Sequence, residues 1–177
     1  MSAVRVELDN KEKVLSDLFS DNSDWISYYY KNSMNAEFLQ YTEYYIRALK
    51  DFKKILIIED DPISFRIIQS FIKTYDEEVK CFYAANENDA IEIINTFHCD
   101  LIIADYFIEG DRTGLDICRR VSQEYPEITC TIVSSLKHYQ YQEILKYADT
   151  EPMFFEKPVS KKKMVEFLDQ FYGGRHV

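Results

Sequence analysis

The chain has 177 residues, 46% of them hydrophobic and 29% charged, enough for one folded domain with a sizeable core and an appendage. Lys and Arg total 21 against 31 Asp and Glu, a net charge of -10, which excludes the basic field of a nucleic-acid binder. No apolar run is long enough to span a bilayer and no charged-then-apolar leader is present, so a cytoplasmic protein without membrane insertion is expected.

Residues 1–50 contain neither Gly nor Pro, which favours helix. Asn10 to Ser20 places Val14, Leu15, Leu18 and Phe19 on one face, and the polar run from Asp21 to Asp24 breaks it. From Asp24 to Lys50 aromatic residues dominate. Phe38, Tyr41, Tyr45 and Ala48 form an a/d-like seam barely two heptads long, too short to define a coiled coil. Two readings stay open: a helix packed on its own domain, or a docking or homodimerisation surface, to which stiff amphipathic tyrosines are suited.

From Lys53 the texture changes to short apolar runs alternating with amphipathic segments. Ile55 to Ile58 reads as a buried strand, and Pro62 to Tyr75 as a helix with Phe65, Ile68, Phe71 and Ile72 inward, Pro62 fitting its first turn. Val79 to Ala84 is the second strand. Asn86 caps a helix from Glu87 to Phe97, with Ile91, Ile94 and Phe97 on one face. Leu101 to Asp105 is the third strand, followed by a loop holding Gly110 and Gly114, a helix from Leu115 to Tyr125 and a strand from Ile128 to Val133. A weaker helix from Tyr139 to Tyr147 precedes the strand Met153 to Phe155. The last helix starts at a Ser160 cap and buries Met164, Phe167, Leu168 and Phe171.

Continuous apolar strands joined by helices predict an α/β fold, a parallel sheet covered on both faces. With right-handed crossovers, one reversal of winding gives the doubly wound order 2-1-3-4-5. The expected organisation is a helical segment over 1–50, the α/β domain over 51–174 and a tail over 175–177. Cys81, Cys99, Cys118 and Cys130 stand singly among apolar neighbours without metal-site or redox spacing, as reduced core thiols do. His98 beside Cys99 is read as packing rather than as a ligand.

In such a sheet chemistry collects at the carboxyl ends of the strands. The first strand ends in Glu59, Asp60 and Asp61, the third in Asp105, the fourth in Ser134 and Ser135, and the fifth in Lys157 and Pro158. Neighbouring first and third strands would bring Glu59, Asp60 and Asp105 together. Three such carboxylates cannot all stay ionised unaided: either one is protonated or a cation sits among them, and hard oxygen ligands suit Mg²⁺. Each residue alone has a bland explanation: acidic pairs open helices, serines end strands, lysines are solvated. Together they match phosphoryl transfer to a carboxylate, with Asp105 as nucleophile, a metal between Asp60 and Asp105, and Lys157 and Ser134 on the remaining oxygens.

The segments Ile-Leu-Ile-Ile-Glu-Asp-Asp-Pro, Asp-Leu-Ile-Ile-Ala-Asp, Thr-Ile-Val-Ser-Ser and Phe-Phe-Glu-Lys-Pro resemble the motifs of two-component response-regulator receiver domains (CheY-like), over about residues 53–172. The resemblance implies Asp105 as phosphoacceptor and Glu59 and Asp60 as the acidic pair, with Asp60 and the Phe107 carbonyl on Mg²⁺. It further implies Ser134 as switch hydroxyl, Phe154 as switch aromatic, and Lys157 as the family's lysine followed by a cis peptide to Pro158. The loop after Asp105 departs from the pattern. Glu109 and Thr113 stand where the family carries Pro and Gly, and the glycine arrives one residue late, at Gly114, as a one-residue insertion would produce. Ser135 replaces a small alanine. Phe107 and Leu136 are apolar at the two positions that tune water attack, so a long-lived acyl phosphate is expected; a lifetime of seconds would refute it.

The function expected from the resemblance is a phosphoacceptor response regulator of a two-component phosphorelay, a phosphoprotein that catalyses only its own phosphorylation and dephosphorylation. Its expected partners are a sensor histidine kinase or histidine phosphotransfer protein and a downstream protein target. Only a short tail follows Tyr172, so output is expected through surfaces such as the face bearing Lys161, Lys162 and Lys163. The competing reading is a non-switching receiver-like scaffold that acts through its N-terminal helices. A histidine phosphotransfer domain in that extension is excluded, because residues 1–97 contain no histidine.

Overall fold

Ile55, Leu56, Ile57 and Ile58 have no solvent exposure at all, and the strand they form is covered on both faces. The computed structural model describes residues 53–110, 112–146 and 152–173. The expectations for residues 1–50, the aromatic seam among them, and for the tail 175–177 lie outside the described residues.

The elements alternate as β1 (Lys54–Ile58), α1 (Pro62–Tyr75), β2 (Lys80–Ala84), α2 (Glu87–Phe97), β3 (Leu101–Asp105), α3 (Gly114–Glu124), β4 (Thr129–Ser134), α4 (His138–Leu145), β5 (Met153–Glu156) and α5 (Lys161–Gly173). The strands pair in parallel in the order β2-β1-β3-β4-β5. This is the doubly wound order expected of the sequence, and it makes β1 and β3 neighbours at the point where the winding reverses.

Local chemistry sets the helix starts. Asp61 caps α1, its carboxylate accepting from the Ile63 and Ser64 N–H groups at 3.1 Å each, and Pro62 occupies the turn where no N–H is needed. Asn86 caps α2 by accepting from the Asp89 N–H. Thr113 and Asp116 form a reciprocal capping box at α3. The Ser160 hydroxyl accepts from the Lys163 N–H at the start of α5.

Several details differ from expectation. On α2, Ala90, Ile93, Ile94 and Phe97 are buried while Ile91 is only partly so. The rotation follows Phe97, whose ring stacks on Phe82 of β2 at 4.3 Å. On α5, Tyr172 is buried and Phe171 only partly. His98 is exposed rather than packed: it closes α2 in the left-handed region at φ 53, donating its N–H to the Ile94 carbonyl. All four cysteines are free and buried.

Among the described residues, a core threonine hydroxyl lies without compensation. Thr131 of β4 is fully buried and its hydroxyl has no hydrogen-bond partner among the described residues. Replacing a lone buried hydroxyl by a methyl of the same shape removes its desolvation cost. Thr131→Val is therefore expected to stabilise the protein by about 1 kcal/mol, read as a higher urea midpoint at unchanged slope; an unchanged or lower midpoint would show that the hydroxyl is satisfied.

Candidate functional site

Backbone bonds that continue past the strand ends position the site. The Glu59 N–H donates to the Ala84 carbonyl at 3.0 Å, the Tyr106 N–H to Val133 at 3.0 Å and the Lys157 N–H to Ser134 at 2.6 Å. Each residue that ends a strand with a polar side chain is thus held by the ladder beside it. Lys157–Pro158 is a cis peptide.

The side chains then converge. Lys157 Nζ lies 2.6 Å from Asp105 Oδ2 and 2.8 Å from Glu59 Oε2. The other Asp105 oxygen accepts from the Phe107 N–H at 3.1 Å, and Glu59 Oε1 accepts from the Asp61 N–H at 3.4 Å. Glu59 is 2% exposed and Asp105 8%, whereas Asp60 is open to solvent. Carboxylate oxygens of Glu59, Asp60 and Asp105 lie within 4.8 Å of one another. Such a set of hard oxygens, with one ligand facing water, fits a cation that keeps part of its hydration, as Mg²⁺ does.

Burial pushes the Glu59 carboxyl up to about 7, the Lys157 hydrogen bond opposing the rise and the Asp105 charge adding to it. Burial disfavours the Lys157 ammonium, but its hydrogen bonds to Asp105 and Glu59 outweigh this and hold it above its usual range. A carboxyl that binds its proton more tightly folded than unfolded favours the fold at low pH, and the advantage disappears as pH rises from the unfolded value through about 7. In chelator, stability is expected to fall by on the order of 1–3 kcal/mol between pH 5 and pH 7.5, with Mg²⁺ flattening the slope by competing with the proton. Urea midpoints across that range, with and without Mg²⁺, check this; a flat profile in chelator would contradict it.

Ser134 is fully buried at the end of β4, and its hydroxyl oxygen accepts from the Leu136 N–H at 3.2 Å. Phe154 pairs with Ile132 across the β4–β5 ladder and is partly buried. Its ring stacks on fully buried Tyr141 at 4.3 Å, with His138 at 5.9 Å. Phe107 is 52% exposed, its ring edge-on to Tyr106, and Leu136 is partly buried.

Two features went beyond sequence reasoning. Lys157, expected on a phosphoryl oxygen, also bonds Glu59, a partner that no sequence signal indicates. Gly114, which the sequence pattern places in the loop, begins α3 directly against β3: a Cβ there would meet the Asp105 carbonyl oxygen at 1.9 Å. Its own N–H donates to the Tyr106 carbonyl. The sequence signal was present in Gly114 itself, since glycine marks close backbone approach, but not what it approaches. Gly110, at φ +124, supplies the turn in the loop after Asp105.

A family model described as "Response regulator receiver domain" matches residues 55–169. The chain is 23% identical over 118 residues to the probable C4-dicarboxylate response regulator DctR of Bacillus subtilis (strain 168), an alignment covering 67% of this chain and 51% of that protein. The chain thus spans about half the length of that relative. Its fold is similar to that of a CheY-like response regulator receiver domain protein from Methanospirillum hungatei JF-1, with TM-score 0.60 and 17% identity over 71% of this chain and 97% of that one. It is also similar to a response regulator from Thermotoga maritima, with TM-score 0.59 and 18% identity over 69% and 98% of the two chains. At these identities the structural likeness speaks for the fold.

Proposed function

This chain belongs to the family of response regulator receiver domains, and we propose that it accepts a phosphoryl group on Asp105 in a Mg²⁺-dependent reaction and signals through protein contacts rather than DNA. The observation that carries this reading is the arrangement around one buried carboxylate. Asp105 has an ammonium at 2.6 Å and two further carboxylates within 4.8 Å of it and of each other.

In this reading an Asp105 oxygen attacks the phosphorus of a phosphohistidine on a sensor histidine kinase or histidine phosphotransfer protein. The bond from phosphorus to the donor nitrogen breaks, and an acyl phosphate forms. Glu59, Asp60, Asp105 and the Phe107 carbonyl would hold Mg²⁺, which supplies positive charge against the phosphoryl oxygens. Lys157 takes a second phosphoryl oxygen. Ser134 takes a third, since its bond from Leu136 leaves the hydroxyl proton to donate. No general base is needed, and the protein acts only on its own side chain.

A groove of about 380 Å³ runs beside Lys157, between Ser64 and Ile67 of α1 and Pro158 and Val159. Ile63 is 70% exposed and Ile67 49%, which suits docking of the donor's histidine-bearing helix along α1. Once Asp105 is phosphorylated, the Ser134 hydroxyl moves to the phosphoryl group and Phe154 leaves its stack on Tyr141, re-shaping the face of α4, β5 and α5. Phe107 and Leu136 shield the acyl phosphate and lengthen its life.

Incubating the full chain with acetyl phosphate and Mg²⁺ tests the reading. Expected are one hydroxylamine-labile phosphoryl group per chain, none in chelator, and a decay slower than seconds. Beryllofluoride is expected to change the sedimentation or fluorescence of the full chain. Labelling without any such change would favour the non-switching scaffold; no labelling would overturn the proposal. Comparing the full chain with residues 51–177 by sedimentation reports whether residues 1–50 form a homodimer.

A further inference from the structure

In the sheet β4 lies between β3 and β5, so the loop that leaves it has a neighbour on either side. At the end of β3 is Asp105, toward which the Ser134 hydroxyl turns once a phosphoryl group is in place. At the end of β5 is Glu156, the ladder partner of Ser134 and the residue before Lys157. Glu156 takes no part in the phosphoryl site.

Its carboxylate instead holds the loop on the β5 side. Lys137, three residues after Ser134, donates from Nζ to Glu156 Oε1 at 2.5 Å. The Lys157 N–H donates to the Ser134 carbonyl at 2.6 Å and fixes the end of β5 beside Ser134, so the ion pair closes a short bracket from β4 to β5. Inside the bracket the Leu136 N–H donates to the Ser134 hydroxyl oxygen at 3.2 Å, and the Lys137 N–H to Gln140 Oε1 at 2.8 Å. Lys137 also stands between the two groups that move. Ser134 precedes it, and directly after it α4 begins with His138, whose ring centre is 5.9 Å from that of Phe154. One turn on is Tyr141, on which Phe154 stacks. A shift of the loop toward β3 therefore carries Lys137 away from Glu156 and disturbs the cover on Phe154 in one movement.

We propose that the Lys137–Glu156 ion pair is a latch on the resting state, holding the loop after Ser134 on the β5 side against the pull of a phosphoryl group on Asp105. The inference rests on the phosphoacceptor reading and names what opposes that switch. Both residues are positioning residues, acting through Ser134 and Phe154 rather than on the phosphoryl group. A contact made in one state and lost in the other shifts the balance between them by its whole worth. The two side chains are 59% and 39% exposed, and an ion pair so placed changes an equilibrium by about two- to five-fold. A restraint of that size biases the resting form and still yields when Asp105 is loaded.

The test titrates the full chain with beryllofluoride in saturating Mg²⁺ and follows the amide NMR signals of Ser134, Leu136 and Phe154. Lys137→Gln and Glu156→Gln are each expected to bind about two- to five-fold more tightly than the unmodified chain. The double variant should bind no more tightly than either alone, and Lys137→Arg, which keeps the pair, as the unmodified chain does. The signs separate a latch from a change of local field. Removing the Glu156 charge near the site would favour a bound anion and removing the Lys137 charge would disfavour it, whereas release of a latch favours binding in both. Before any beryllofluoride is added, the Ser134 and Leu136 signals of Lys137→Gln should already lie displaced toward their bound positions. Unchanged or weaker binding by Lys137→Gln, or additive gains in the double variant, would overturn the latch and leave the phosphoacceptor reading standing. No binding by the unmodified chain would overturn both.

Discussion

Asp105→Asn is expected to reduce phosphoryl labelling from acetyl phosphate to background, a drop of at least about 10²-fold, while leaving the fold intact. An amide offers no anionic oxygen to attack phosphorus, and no other carboxylate in the cluster shares the position of Asp105 beside both Lys157 and the Phe107 N–H. The fold survives because the asparagine carbonyl can still accept from Phe107, and Lys157 keeps its bond to Glu59. Removing the neighbouring negative charge also relieves Glu59, whose proton affinity Asp105 helps to raise, so the pH dependence of stability in chelator should become shallower. Asp60→Asn is the informative companion. It keeps the nucleophile and its lysine but removes an exposed oxygen of the acidic cluster, so labelling should persist at a higher Mg²⁺ requirement. Intact-mass measurement of the three proteins after the same incubation separates the roles. Labelling of the Asp105→Asn protein at an undiminished level would move the phosphoacceptor elsewhere.

What made this site legible beforehand was that the strands announce themselves. Ile55 to Ile58 and Leu101 to Ala104 are apolar without alternation because both faces are buried, and a carboxylate closing such a run lies at the rim whatever the neighbouring loops do. Five strands with intervening helices left one economical topology, and that topology alone put Glu59 next to Asp105. Helix ends were legible where a side chain caps them, as at Asn86 and Ser160. The rotation of α2 was not, because Phe97 reaches a stacking partner on β2 that no local pattern reveals. His98 misled for a related reason: it serves as a left-handed helix stop, a backbone role that its side chain does not advertise. The contact of Cys130 Sγ with the Cys118 carbonyl oxygen, at 3.8 Å, was not legible either, since only the packing of α3 on β4 brings the two residues together.

The loop after Asp105 yields the second large effect, and here the deciding atoms belong to the backbone. Gly114 starts α3 so close to the end of β3 that an added Cβ would lie 1.9 Å from the Asp105 carbonyl oxygen, 2.9 Å from its carbon and 3.2 Å from the Ala104 Cβ. Neither of the first two atoms can swing aside as a side-chain tip would. Either α3 lifts off β3 or the strand end bends, and both displace the residue that carries the nucleophile. Overpacking of this kind costs roughly 1–3 kcal/mol or more. A shift of ~1 Å at a reacting group is enough for about 10²-fold in rate. Gly114→Ala is therefore expected to lower the urea midpoint and to slow labelling by acetyl phosphate about 10²-fold, even in the fraction that stays folded. Gly110→Ala separates crowding from backbone conformation. Gly110 sits at φ +124 with open space where a Cβ would go, so alanine there strains the loop by roughly 1–3 kcal/mol without touching Asp105. Its labelling rate should stay within a few-fold of the unmodified chain. A Gly114→Ala protein that labels as fast as the Gly110→Ala protein would mean that the approach of α3 to β3 does not hold the nucleophile in place.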